Sequence, residues 1–415
     1  EMLNRDWSSD VCSSDLCKIC KRSAASIESQ TAGAVLRANS CEKGENKLNI
    51  QKFVKYILAL CAVMLVATSF SACADVKEKA YKAYNKKVIY EIAFIPSDVV
   101  LEKGTYENAI WEGLIEYGEE SGKAHKYFAS DQTDTEGYLT AIANAAGSGA
   151  KVIITQSKKL EKAVNKAQKK YPEVKFIHIA GSLNENSSVG FKPLKNTMII
   201  SFADEQAGFL AGYAAVKDEE WKLGFMGCKK NKTAMDYATG FVQGAEAAAD
   251  EMGVSSVNIK YWTVKKTPDA EKIKKTAANW YKDSVDIIFA CGEEYMEAVS
   301  EAANDGGGRI IAAETNAAPE YRKVYTSAMR NFAGVIKYGL QKYCDDHFPG
   351  GKHVRLNAVK DAVCLPLNDF SFKDFSEEDY DMIYDRLSKN IIKVKDSKSR
   401  PAEALDLQIV NLDIV

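Results

Sequence analysis

KVIITQSKKLEKAVNKAQKKYPEVKFIHIAG, residues 151–181, is the stretch whose reading decides the fold. KVIITQ (151–156) is an apolar, β-branched run of strand length. Lys158 to Tyr171 reads as the helix that follows, stopped by Pro172, which has no N–H to continue it. KFIHIAG (175–181) is the next strand. A strand, a helix and a strand within some thirty residues make one crossover unit of a parallel sheet. The pattern extends both ways. Upstream lie VIYEIAFIP (88–96), a helix from Asn108 to Ser121, HKYFAS (125–130) and a helix from Thr135 to Ser148; downstream lies NTMIISF (196–202).

The unit then starts again. Asp204 to Val216 is a helix whose small pairs, Ala207-Gly208 and Ala211-Gly212, allow close packing on a sheet. KLGFMG (222–227), Thr233 to Met252, VNIKYWTV (257–264), Asp269 to Tyr281, VDIIFACG (285–292), Glu294 to Asn304 and RIIAAET (309–315) alternate strand and helix. Beyond Gly350 the chain is less regular: a hairpin-like HVRLNAVKDAVCLPLN, a helix from Glu377 to Leu387, then NIIKVKD. Two successive doubly wound halves predict an α/β protein of two Rossmann-like lobes with a cleft between them. Ligands of such sheets sit beyond the carboxyl ends of the strands. That singles out Ser97-Asp98, Gln156-Ser157, Cys228, Gly292-Glu293 and Glu314-Thr315-Asn316. Any one of these could simply cap a helix; their convergence is what carries a functional reading.

Several motifs mislead. Gly147-Ser148-Gly149-Ala150-Lys151 and Gly306-Gly307-Gly308 both lie between a helix and a strand, whereas a phosphate loop needs the strand first and the helix second. Glu293-Glu294 opens a helix, where the dipole favours negative charge. No GxSxG elbow is present, and the four His are not paired at helical spacing, so neither a hydrolase nor a transition-metal centre is indicated. The 55 basic and 57 acidic side chains nearly balance, which gives no electrostatic reason to expect nucleic acid. Cys228, Cys291, Cys344 and Cys364 are too widely spaced for a disulfide framework and read as free buried thiols.

Ahead of the regular region stands KFVKYILALCAVMLVATSFSAC (52–73): two lysines, an uncharged run from Tyr56 to Phe70, and small residues before Cys73. That order is a secretory signal rather than a membrane span. Phe70-Ser71-Ala72-Cys73 resembles the lipobox of bacterial lipoproteins, in which the Cys takes a diacylglyceryl thioether. Ala74 to Lys87 is a Lys-rich tether. Residues 1–46 fit nothing downstream; EMLNRDWSSDVCSSDL resembles translated sequencing-adapter read-through, and this extension is expected to be an artefact or disordered.

At five places the chain resembles the basic-membrane-protein family, the purine-nucleoside receptor lipoproteins of ABC transporters. These are TYENAIWEGL (105–114), AKVIITQS with YPEVKFIHIAG, FADEQAGFLAGYAA (202–215), KLGFMG with YATGFVQGAEAA (237–248), and VDIIFACG with VYTSAMRNF (324–332). The resemblance implies a type I periplasmic-binding-protein fold with chain crossings near Ala203, Asn316 and Tyr343. The division is then 1–46 extension, 47–72 signal peptide, 73–87 tether, 88–203 and 317–343 as lobe 1, and 204–316 and 344–415 as lobe 2.

By the same resemblance, Tyr106 and Tyr237 would stack a base from opposite lobes. Glu314 would accept hydrogen bonds from ribose, with Arg330 orienting it or touching the ligand. Asp98, Glu107, Gln156 and Gly292 complete the expected ligand-binding set, and Cys73 is the lipidation site. The family's Ser-Phe-Asn is here Thr105-Tyr106-Glu107, and the aspartate expected after KFIHI is Ala180. The aspartate after RIIAA is Glu314, the lysine of the TSxxK segment is Arg330, and the loop after the first strand is Val99-Val100-Leu101-Glu102. The implied protein is no enzyme and needs no cofactor or metal. It is a monomeric, lipid-anchored, extracytoplasmic binding protein with a nucleoside-like ligand and an ABC permease as partners. The alternatives are a lipid-anchored sensor without transport and a binding protein for a different small solute.

Overall fold

A computed structural model of the chain describes residues 89–180, 191–366 and 372–415. The expected signal peptide, the expected lipidation site Cys73 and the expected tether lie outside the described residues. The first elements in chain order are β1 (Ile92–Ile95), α1 (Tyr106–Ser121), β2 (His125–Tyr127), α2 (Thr135–Gly147) and β3 (Val152–Gln156). One 3-10 turn, Lys158–Leu160, leads into α3 (Glu161–Lys170), followed by β4 (Lys175–Ile179) and β5 (Thr197–Phe202). Next come α4 (Asp204–Lys217), β6 (Lys222–Cys228), α5 (Lys232–Met252), β7 (Val257–Val264), α6 (Ala270–Lys282), β8 (Ile287–Cys291), α7 (Glu293–Gly306), β9 (Arg309–Glu314) and β10 (Val324–Arg330). The chain closes with α8 (Phe332–Cys344), β11 (His353–Leu356), β12 (Val363–Cys364), α9 (Glu377–Ser388) and β13 (Val410–Ile414). Among the described residues no helix is long and apolar enough to cross a membrane.

The strands form two sheets, in the order β11-β5-β4-β3-β1-β2 and β12-β10-β9-β8-β6-β7-β13. All pairings are parallel except β12 on β10. Both faces of the first sheet are covered, which explains its continuous apolar runs. Phe94, Ile154, Ile177 and Ile200 pack with Leu114 of α1 and Ile336 of α8, while Ile95, Ile153 and Phe176 pack with Ile142 of α2 and Val164 of α3. Polar side chains start the helices. Asp134 Oδ1 accepts from Gly137 N at 2.8 Å, and Asn331 Oδ1 accepts from Gly334 N at 3.1 Å immediately after β10.

Pairing over long sequence distances revises the expected organisation. Val324 to Arg330 pairs with β9, so residues 324–330 belong to the second sheet, and the crossing expected near Asn316 falls after Arg330. His353 to Leu356 pairs with Ile199 to Phe202 of β5, so the crossing expected near Tyr343 lies beyond Leu356. HVRLNAVKDAVCLPLN is therefore not a hairpin: its two strands join different sheets. NIIKVKD forms no strand; the last strand is Val410–Ile414, along β7.

The glycines of α4 meet a helix rather than a sheet. A Cβ at Gly208 or Gly212 would stand 2.3 Å from Tyr237 O or 2.0 Å from Phe241 O of α5. Reciprocally, a Cβ at Gly240 or Gly244 would stand 1.8 Å from Glu205 O or 2.0 Å from Phe209 O. Two glycines four residues apart on each helix thus bring the backbones of α4 and α5 into direct contact.

Candidate functional site

The carboxyl ends of both sheets converge on one guanidinium. Arg330 ends β10 and is 2 % exposed. Its Nε and Nη2 donate to Asp204 Oδ1 and Oδ2, each at 2.8 Å, a bidentate fork. Its Nη1 donates to the Tyr106 hydroxyl at 3.0 Å, and Nη2 lies 3.4 Å from Thr233 Oγ1. The guanidinium carbon stands 4.8 Å from the centre of the Phe202 ring and 5.7 Å from that of Tyr106. Glu314 Oε1 is 4.0 Å from Nη2, and Glu314 remains 24 % exposed. Burial alone would lower the Arg330 pKa, but the charges of Asp204 and Glu314 outweigh it and the net shift is upward.

Each partner sits where an element begins or ends. Phe202 closes β5 and Asp204 opens α4, where the helix dipole favours a carboxylate. Tyr106 opens α1 on the first sheet, edge-on to Phe332 at 5.7 Å. Glu314 closes β9 with φ 78°, a left-handed conformation that is strained for a residue with a side chain and that clusters at binding sites. Ser157, directly after β3, has φ 79°.

The structure brings Tyr106, Glu314 and Arg330 together. It places Asp98 and Glu107 in a second group around Ser97. The buried Ser97 hydroxyl donates to Glu107, with Asp98 Oδ2 at 3.2 Å as a further acceptor, and Tyr138 donates to the Ser97 carbonyl at 2.7 Å. Asp98 is exposed and pairs with Lys159 at 3.3 Å. Gln156, at the end of β3, carries a buried Oε1 without a hydrogen-bond partner. Gly292, between β8 and α7, has φ 120°, which a side chain would rarely tolerate.

Tyr237 departs from expectation. It is 0 % exposed, packed edge-on against Phe289 at 5.8 Å in the core of the second sheet, and offers no free ring face to a base. Burial raises its pKa well above the ordinary value, and the nearby Asp204 carboxylate adds to this.

Sequence reasoning missed Asp204, Thr233 and Phe202. Asp204 lies inside FADEQAGFLAGYAA, where a helix-opening acid already has a dipole partner; its true partner is 126 residues away. Beside it runs a second ion-pair network. Arg355 of β11 forks onto Glu205 of α4 and lies 3.9 Å from Asp236 of α5, tying the first sheet to the helices of the second. Burial pushes the Glu205 carboxyl up to about 7 despite Arg355.

Comparison with known proteins agrees with this architecture. Residues 89–402 match the family described as ABC transporter substrate-binding protein PnrA-like. The chain is 23 % identical over 338 residues to the ABC transporter nucleoside-binding protein BmpA of Lactococcus lactis subsp. cremoris, covering 76 % of this chain and 92 % of that one. It is 30 % identical over 188 residues to Basic membrane protein D of Borreliella burgdorferi, covering 44 % and 54 %. In three dimensions it resembles an ABC transporter solute-binding protein from Conexibacter woesei, with a TM-score of 0.58, 15 % identity, and coverage of 74 % of this chain and 98 % of that one. It also resembles a transcriptional activator of the comK gene from Bacillus halodurans, with a TM-score of 0.55, 16 % identity, and coverage of 74 % and 99 %. These likenesses fix the type I binding-protein fold. The chain belongs to the PnrA-like family of ABC transporter substrate-binding proteins.

Proposed function

We propose that this substrate-binding protein captures a nucleoside between the carboxyl ends of its two sheets and presents it to an ABC permease. It works as a monomer held at the extracytoplasmic face of the cell membrane by lipid on Cys73. The observation that carries the reading is the meeting of Tyr106, from the helix after β1, with Arg330, from the end of β10, at 3.0 Å. Residues from two sheets that close on one point can grip a solute by hinge motion, without chemistry. Tyr106 supplies the aromatic face for the base. Glu314 supplies a charged acceptor for ribose hydroxyls, with Glu107 and Asp98 as further acceptors. Arg330 acts by position, fixing Tyr106 and facing Glu314.

Calorimetry with adenosine, guanosine, inosine and the pyrimidine nucleosides tests the ligand. Micromolar or tighter binding of at least one is expected; no binding of any at millimolar concentration overturns the nucleoside reading. The anchor is tested separately, since Cys73→Ala should move the protein from the membrane to the soluble fraction.

A further inference from the structure

Among the described residues Arg330 is the one buried cation, and its Nε/Nη2 fork is not available to a ligand. A guanidinium recognises phosphate or carboxylate through a fork of two parallel N–H groups. In Arg330 the Nε/Nη2 fork is occupied by both oxygens of Asp204, at 2.8 Å each. Nη1 is directed to Tyr106 and the remaining Nη2 proton to Thr233. Asp204 and Arg330 cancel in charge, and the other ionisable groups of this surface are then mostly acidic. Glu314 lies 4.0 Å from Nη2, and Glu107 is buried with a neutral hydroxyl as its hydrogen-bond donor. Asp98 pairs with the exposed Lys159. An anion entering here meets carboxylates and no free fork. A neutral polyol or an amine meets acceptors.

We propose that Asp204 is a specificity-determining residue that makes the cleft reject anions. By consuming the Arg330 fork it restricts the ligand to neutral or amine-bearing solutes and excludes their phosphorylated forms. This rests on the reading of the cleft as a solute site. It adds that the excluded class is set by one carboxylate that need not touch the ligand.

The test is calorimetry on the full chain with inosine, inosine 5′-monophosphate and inorganic phosphate, for the wild type, Asp204→Asn and Glu314→Gln. The wild type is expected to prefer inosine by roughly 100-fold or more, the scale of one uncompensated charge a few ångströms from a partly screened carboxylate. In Asp204→Asn the amide oxygen can accept from only one arm of the fork and no longer neutralises the guanidinium, so monophosphate affinity should rise in absolute terms and the preference should fall at least about tenfold. A merely structural defect would weaken both ligands together and leave their ratio unchanged. Glu314→Gln keeps the buried pair intact and should fold; it is expected to lower the same ratio by a smaller factor. Inorganic phosphate separates this proposal from the nucleoside reading, because its binding does not depend on what ring the cleft accepts. It should bind Asp204→Asn and not the wild type. Phosphate binding to the wild type, or a nucleoside-to-monophosphate ratio unmoved in Asp204→Asn, overturns the proposal.

Discussion

Gly240→Ala tests whether helix contact, rather than local side chains, positions the binding residues. An alanine Cβ there would stand 1.8 Å from the Glu205 carbonyl oxygen and 2.9 Å from its Cα, and both atoms are backbone and cannot rotate aside. Real Cβ contacts do not fall below 3.0 Å, so α4 and α5 must part by about 1.2 Å at that point. Overpacking of this kind costs about 1–3 kcal/mol, against which alanine recovers up to about 1 kcal/mol in helix propensity. The functional cost is sharper. Asp204 precedes Glu205, and its bonds to Arg330 are 2.8 Å long. N–H···O bonds weaken beyond about 3.2 Å, so a shift of a few tenths of an ångström already loosens the fork. Urea unfolding followed by circular dichroism should therefore show a loss of about 1–2 kcal/mol net, accompanied by weaker ligand binding. Gly147→Ala is the control: it ends α2, a Cβ there meets nothing within 4 Å, and stability should hold or rise slightly. If Gly240→Ala unfolds at the wild-type midpoint and keeps its Kd, helix contact does not position Asp204 and the reasoning fails.

Three further outcomes are expected. Asp204→Ala strands the buried Arg330 charge and should cost about 3–5 kcal/mol, whereas Asp204→Leu with Arg330→Met should cost markedly less; equal losses in the urea midpoint would contradict a buried pair. Tyr106→Phe removes the acceptor for Arg330 Nη1 and should lower stability by about 1 kcal/mol, while Tyr237→Phe removes a buried hydroxyl with no partner at full hydrogen-bond distance and should cost less in melting. Burial holds the His178 pKa near 4 against 6.5 for a free side chain. Between those values the unfolded chain takes up a proton that the fold refuses, so stability falls as pH drops from about 6.5 to about 4, by up to roughly 3 kcal/mol. His178→Gln should lack that component. Glu205 contributes with opposite sign in both proteins and cancels in the difference, so parallel pH curves for the two would refute the assignment.

The βαβ core was legible because each strand buries both faces and announces itself as an uninterrupted apolar run, as in KVIITQ and KFIHI. β11 and β12 were not. HVRL and VC are short, partly exposed and six residues apart, which locally reads as one hairpin; only the pairing of His353 with Ile199 reveals that they separate. The strand-end rule reaches Glu314 and Gln156, which do sit at carboxyl ends; Arg330 comes only from the family resemblance, because Val324 to Arg330 is not read as a strand. Tyr237 could have been recognised as core: Ala234, Tyr237, Ala238, Phe241 and Ala245 repeat at helical spacing and all are fully buried. The Asp204–Arg330 pair was beyond reach, since nothing in either local sequence indicates a partner in the other.

The division of β11, β12 and β13 between two sheets also sets the order in which the protein can be finished. A chain emerging from its N-terminus cannot complete the first sheet until residue 356 has appeared, because β11 covers the open side of β5. The second sheet receives both of its outer strands from the last quarter of the chain, β12 on β10 and β13 on β7. Until then TMIISF of β5, buried along its whole length in the finished protein, presents unpaired backbone groups and apolar side chains to any neighbouring chain. Synthesis interrupted before residue 353 thus leaves a sticky product rather than a smaller folded one. Keeping that strand apart from its neighbours during the long wait falls to whatever factors attend the nascent chain.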